Sequence, residues 1–251
     1  MQLHSDPLSF FKPRPAQPHL PLFVLFPGMD GTGRLFYKQI DRLATRFDIR
    51  CLAIASDDRS NWHALVDRSM QFIIDELPEG RELYLCGESF GACWAMQVAS
   101  RMAKSIEKLV LINPASSFVR LPWLTEGSAL SSLLPDNMYP LSTRILAKFL
   151  TNADRVTPED RQNLLDAMLS VTPQTAAWRL SLLRQFRINS LLPALVDIPI
   201  NLIAGEHDRL LPSVLEVRFL HQQLPKSNTT LLPASGHACL LEQDINLADL
   251  V

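Results

Sequence analysis

Short runs of apolar, β-favouring residues alternate along this chain with longer stretches whose apolar positions recur at helical spacing. Six runs read as strands: Leu22–Phe26, Ile49–Ala55, Leu83–Cys86, Leu109–Ile112, Ile200–Ala204 and Thr229–Leu232. Most are apolar throughout rather than alternating, as strands covered on both faces of a parallel sheet must be. Between them, Trp62–Leu77, Ala92–Met102 and Val214–Leu224 carry the helical period. The pattern predicts an α/β fold with a mostly parallel sheet of six strands and helices on both faces.

The alternation breaks between about Ser117 and Asp197, where amphipathic stretches such as Ser142–Leu150, Pro158–Leu169 and Gln174–Phe186 are separated by Pro122, Pro135, Pro140, Pro158 and Pro173. Such a helical insertion, following the strand that ends at Ile112, is expected to form a cap within one domain spanning residues 1–251. Pro13, Pro15, Pro18 and Pro21 predict an extended arm at the start of the chain.

The 251 residues are 47% hydrophobic, enough for one sizeable core, and the net charge of −2 leaves no basic footprint for nucleic acid. Cys51, Cys86, Cys93 and Cys239 lie far apart without a Cys-x-x-Cys pair, and they read as reduced thiols of a cytoplasmic protein. No apolar run approaches the ~20 residues that span a bilayer, so the expectation is a soluble protein, at most peripheral to a membrane. Composition says nothing of oligomeric state.

Chemistry enters at Gly87-Glu88-Ser89-Phe90-Gly91, which joins a predicted strand to a predicted helix. A serine at the apex of so tight a turn needs strained backbone angles, and the crowding on either side admits only glycine. This is the nucleophile elbow of an α/β-hydrolase, which exposes the Ser89 hydroxyl and aims the first helical N–H groups at the developing negative charge. Seven of the nine glycines, Gly28, Gly31, Gly33, Gly87, Gly91, Gly205 and Gly236, fall in four segments that follow or close predicted strands, marking one edge of the sheet as functional.

Serine needs a base, and the base needs an orienting carboxylate. His237 follows the last predicted strand, where this fold supplies its base; His4 and His19 lie in the arm, and His63 and His221 fall on helix faces expected to be solvated. Asp208 follows the strand Ile200–Ala204 and completes the chain order Ser, Asp, His. Its structural alternative is a helix cap before Leu211-Pro212; Glu206 is a rival acid, and Asn113 a weak one because an amide carries no charge. The N–H of Phe90 and that of Met29, with Asp30 in reserve, are the expected oxyanion donors.

The loop from Gly28 to Gly33 matches neither the Walker pattern nor the dinucleotide fingerprint, so no nucleotide cofactor is expected. His207, Asp208 and His237 lack the spacing of a metal anchor, and a triad explains them with fewer assumptions. His63 and Asp67 read as an ordinary pair on a helix face.

Four segments carry a more specific likeness: Phe26-Pro27-Gly28-Met29-Asp30-Gly31-Thr32-Gly33, Gly87 to Gly91, Asn113-Pro114-Ala115-Ser116-Ser117-Phe118 and Leu210-Leu211-Pro212-Ser213. Together they resemble the hydrolase part of the phytyl ester synthase and diacylglycerol acyltransferase-like proteins of plastids and cyanobacteria, over residues 20 to 245. The resemblance implies handling of long-chain acyl esters, including transfer of fatty acyl groups to phytol or diacylglycerol. Those proteins continue into a second domain with a His-x4-Asp motif, whereas this sequence stops at Val251, so acyl transfer here would have to run through Ser89.

The expected function is therefore hydrolysis of a small lipophilic ester by a serine carboxylesterase or lipase, with acyl transfer as the runner-up and a noncatalytic binding protein as a distant third. Sequence does not separate thioesterase or peptidase action from these. Trp123, Trp178 and the leucines around Leu182 and Leu191 are suited to a lipophilic chain, although the same stripes would serve core packing.

Overall fold

A computed structural model describes residues 8–121 and 139–251. Seven strands form one sheet: β1 (Leu8–Phe11), β2 (Leu22–Phe26), β3 (Asp48–Ile54), β4 (Leu83–Glu88), β5 (Lys108–Ile112), β6 (Ile200–Gly205) and β7 (Ser227–Leu232). Their order is β1-β3-β2-β4-β5-β6-β7, and every pairing is parallel except that of β1 with β3. The six predicted strands are present, and β1 is a seventh that corrects the expected count. The arm thus opens with a strand, Leu8 facing Ile54 and Phe11 facing Cys51, before the proline-containing stretch. Leu8 is fully buried, and Phe10 stacks on Phe72 with ring centroids 5.7 Å apart.

The apolar runs are continuous because both faces of the sheet are covered. Leu22, Val24 and Phe26 of β2 enter one core cluster, while Phe23 and Leu25, pointing the other way, enter a second; Leu109 and Leu111 are likewise divided from Val110 and Ile112. The first cluster packs beneath α2 (Trp62–Asp75) and α3 (Phe90–Arg101). The second lies under α1 (Tyr37–Leu43), a helix the sequence pattern did not predict, and the C-terminal residues Leu247 and Ala248. All four cysteines are buried free thiols.

Between β5 and β6 the described helices are α4 (Tyr139–Leu150), α5 (Pro158–Leu169), α6 (Pro173–Gln185) and α7 (Ile188–Leu195). Thr157 and Thr172 cap α5 and α6 by accepting the N–H of Asp160 and Thr175 at 3.1 Å, and each is followed by a proline at a position whose N–H has no helical partner. α7 was not predicted, since Pro193 lies inside it. α8 (Ser213–Gln223) joins β6 to β7. Trp123, assigned above to a lipophilic lining, lies outside the described residues. Leu182 is in the main core, with Trp178 and Leu191 packed against it, so core packing accounts for those three.

Candidate active site

β4 stops at Glu88 and α3 starts at Phe90, leaving Ser89 alone at the turn with φ 56° and ψ −115°. Its N–H donates to the Ile112 carbonyl at 2.9 Å, and its carbonyl accepts the N–H groups of Ala92 and Ala115, so both neighbouring elements hold the strained residue. A Cβ on Gly87 would stand 2.3 Å from the Gly91 carbonyl oxygen, and one on Gly91 would stand 2.1 Å from that of Phe26. Both glycines are thus required by backbone, which no rotamer change can relieve.

His237, on the loop that follows β7, meets this turn. With Nδ1 protonated, it donates to Asp208 Oδ2 at 2.7 Å, and Nε2 accepts the Ser89 hydroxyl at 2.8 Å. Asp208 Oδ1 accepts the N–H groups of Leu210 and Leu211, and the Ser213 hydroxyl donates to the same Oδ2 that His237 holds. The helix beginning at Ser213 has Pro212 at its cap position with no side-chain hydrogen bond, so the cap considered as an alternative for Asp208 is not formed; one carboxylate oxygen holds the loop turn and the other faces the imidazole. Glu206 and His207 are exposed and take no part in this line. His63 pairs with Asp67 on α2, as expected.

The glycine-rich loop lies against the same turn: a Cβ on Gly28 would be 3.9 Å from the Ser89 Cβ. Gly31 and Gly33 have φ of 65° and 67°, and the Asp30 carboxylate accepts the Thr32 N–H and hydroxyl, which fixes the turn. Arg179 of α6, 1% exposed, donates from Nη1 to the Met29 carbonyl at 2.5 Å. The sheet edge thus assembles Ser89, His237, Asp208, Phe90 and the Met29 loop from four separate strand ends.

The alpha/beta hydrolase family pattern matches residues 23–250. The chain belongs to the alpha/beta hydrolase family. It is 29% identical to phytyl ester synthase 1, chloroplastic, of Arabidopsis thaliana, over 92% of this chain and 36% of that protein. The likeness to phytyl ester synthase 2 of the same plant is 28% over 92% and 37%. The chain therefore spans little more than a third of the length of these relatives. Among solved structures, the enol-lactonase from Burkholderia xenovorans LB400 superposes with a TM-score of 0.76 at 18% identity, covering 92% of this chain and 89% of that one, a likeness of fold.

Electrostatics within this alpha/beta hydrolase site follow from burial and pairing. Burial alone would raise the Asp208 carboxyl, but the charge and hydrogen bond of His237 with the donors Ser213 and Leu211 outweigh it and hold the acid below its ordinary range. Burial would lower His237, yet Asp208, with a contribution from Glu88, holds it above the ordinary histidine value. Glu88 itself is pushed up to about 7, first by burial, then by Asp30 and Asp208, with His237 opposing. Its Oε1 is shut off from solvent without a hydrogen-bond partner among the described residues.

Several residues that hold the site escaped sequence reasoning. Asn113, considered only as a weak acid candidate, has φ 43° and is fully buried; its amide donates to the His237 carbonyl at 2.6 Å and accepts the Gly205 N–H at 2.8 Å. An asparagine directly after a strand, at a turn where left-handed backbone is tolerated, was the available signal. Glu242 accepts the Gly236 N–H and the Ser235 hydroxyl and is paired with Arg155, so the histidine loop is clamped beneath His237. No local pattern marks Glu242, Arg155 or Arg179.

Proposed function

We propose that this chain is a serine hydrolase of the carboxylesterase or lipase type that cleaves lipophilic long-chain acyl esters through an acyl-enzyme on Ser89. The observation that carries the reading is the unbroken line from Ser89 through His237 to Asp208, at 2.8 and 2.7 Å. Ser89 Oγ attacks the ester carbonyl carbon while His237 Nε2 takes its proton, and Asp208 stays ionised and steadies the imidazolium. The N–H groups of Phe90 and Met29 hold the oxyanion, each donor worth about 3 kcal/mol in such sites. As the intermediate collapses, the C–O bond to the alcohol breaks and His237 returns the proton to the departing oxygen. Water, deprotonated by the same imidazole, then releases the acid and frees Ser89.

In this reading the chain is one domain, α4 to α7 belong to a cap over the site, and the ester is a small lipophilic molecule. The four buried thiols support a reducing, cytosol-like setting. A second reading, transfer of the acyl group to a lipid alcohol such as phytol, is favoured by the phytyl ester synthase relatives and by the closure of the site. Ser89 and His237 are 7% and 5% exposed, and limited water access lets an alcohol compete for the acyl-enzyme.

The test is fluorophosphonate labelling of wild type and Ser89→Ala, followed by incubation with long-chain p-nitrophenyl esters with and without phytol. Labelling lost in the variant, with free fatty acid released whether or not phytol is present, is the expected result; product shifting into phytyl ester selects transfer. A wild-type chain that takes no label while folded refutes both.

A further inference from the structure

We propose that the outward face of α4 is a docking surface for an anionic lipid bilayer, the phase from which the proposed hydrolase draws its ester; the use rests on the function proposed above, the binding does not. Of the seven large hydrophobic side chains exposed among the described residues, four lie on this one helix: Leu141, Ile145, Leu146 and Phe149, at 60%, 51%, 40% and 47%. The other three, Tyr37, Ile74 and Leu215, are scattered over separate helices, as single exposed apolar residues ordinarily are.

Helical geometry turns these four into a face. At about 100° per residue, Leu141, Ile145 and Phe149 lie within about 80° of one another, and Leu146 widens the stripe to about 140°. Thr143 and Leu150, at about 200° and 180° from Leu141, lie beyond the Leu146 edge of the stripe and are buried against the protein. The stripe is thus the surface left over after α4 has packed, which is why its exposure is not explained by the core.

Charge selects the partner. Tyr139–Leu150 contains Arg144 and Lys148 and no acidic residue. Both cations are exposed, and the same geometry puts them at about −60° and −20° from Leu141, along one border of the stripe. An apolar face edged by long basic side chains is the arrangement of helices that lie in a membrane interface, the apolar residues entering the acyl boundary and the cations reaching back to anionic headgroups. A second protein would be expected to offer carboxylates for those cations; a bilayer with anionic lipid satisfies the stripe and its border together.

The placement gives docking a use. The Leu150 carbonyl, at the end of α4, accepts the Ala238 N–H at 2.8 Å, and a Cβ on Gly236 would stand 2.9 Å from the same oxygen. The helix therefore ends on the loop that carries His237, so a membrane held against α4 lies beside the site.

The test is co-sedimentation of the 251-residue Ser89→Ala chain with phosphatidylcholine vesicles, with and without phosphatidylglycerol. The expected result is binding to the phosphatidylglycerol vesicles that weakens as salt rises. At about fivefold per cation, Arg144→Gln with Lys148→Gln should weaken it on the order of 20- to 30-fold. Ile145→Asp with Phe149→Asp should abolish it, with melting temperature unchanged because these side chains face outward. Binding untouched by the aspartates, equal binding to both vesicles at any salt, or concentration-dependent self-association lost in the aspartate variant without vesicle binding would each overturn the proposal. Failure of the function proposed above would appear instead as absent fluorophosphonate labelling of the wild type in vesicle-free buffer, so the two failures are read separately.

Discussion

Gly91→Ala should damage catalysis far more than it damages the fold. The added Cβ would sit 2.1 Å from the Phe26 carbonyl oxygen and 2.5 Å from that of Pro27, where real Cβ atoms essentially never approach within 3.0 Å. The first turn of α3 and the end of β2 must therefore separate by about 0.9 Å or more, and both obstructing atoms are backbone. Phe26 is paired with Gly87 in the sheet, and Phe90 is fully buried with its ring 5.2 Å from that of Trp62, so relief cannot come from a side chain swinging away. The displacement falls between Ser89 and Phe90 on one side and the Met29 loop on the other. A misplacement of about 1 Å between reacting groups is worth about 100-fold in rate, whereas overpacking at one site costs about 1 to 3 kcal/mol of stability. The assay is the rate of fluorophosphonate labelling, with thermal melting of the same preparation. Gly80→Ala is the control: Gly80 has φ 80° but nothing within 4 Å of its missing Cβ, so strain there should lower the melting temperature and leave labelling alone. Equal labelling of Gly91→Ala and wild type, or an equal loss in Gly80→Ala, would refute the argument that these glycines set the geometry of an oxyanion site.

Arg179→Met removes the donor on the Met29 carbonyl and should lower kcat by about 10- to 100-fold, below the 10²–10³ of losing an oxyanion donor outright, with KM less affected and partial recovery in Arg179→Lys; steady-state kinetics on a soluble ester check this. Glu88→Gln should move the acid limb of the activity profile to lower pH, because an ionised Glu88 helps hold His237 protonated and the neutral amide does not. The same variant should become more stable relative to wild type as pH rises through about 7, since a carboxyl with a raised folded pKa binds more protons folded than unfolded in that window and loses stability across it; melting curves against pH measure this.

What could be read from the sequence was whatever the backbone itself demands. Gly87 and Gly91 announced the elbow because no other residue fits between the crossing chains, and β2, β4 and β5 announced themselves because burial on both faces makes a strand apolar throughout. His237 and Asp208 were reachable by their positions after strands. β1 was not, because Leu-Ser-Phe-Phe is four residues long, stands at an edge and is followed by prolines; only pairing with β3 makes it a strand. Asn113, Arg179 and Arg155 were illegible for a related reason. Each acts on a partner far along the chain, Asn113 on His237 across 124 residues and Arg179 on Met29 across 150, and a polar residue gives no local sign of so distant a bond.

Those distant bonds tie the helices between β5 and β6 to the loops of the candidate site. Arg179 of α6 holds the Met29 carbonyl; Asn152, just after α4, donates to the Ala234 carbonyl at 2.9 Å; Arg155 holds Glu242, which in turn takes the Gly236 N–H; and Leu150 accepts the Ala238 N–H. One tether reaches the glycine-rich loop and three reach the histidine loop. α6 also grips the segment after β3, through Thr175 on the Ser56 carbonyl and Trp178 on that of Ser60. Leaving a buried hydrogen-bonding group without its partner costs about 1 to 3 kcal/mol, so lifting these helices together would cost a large part of the stability of an ordinary domain. It would also release the two loops that the proposed mechanism needs fixed. The helices behave as part of the frame of the site, and under the proposed function the ester would have to reach Ser89 while the tethers stay in place.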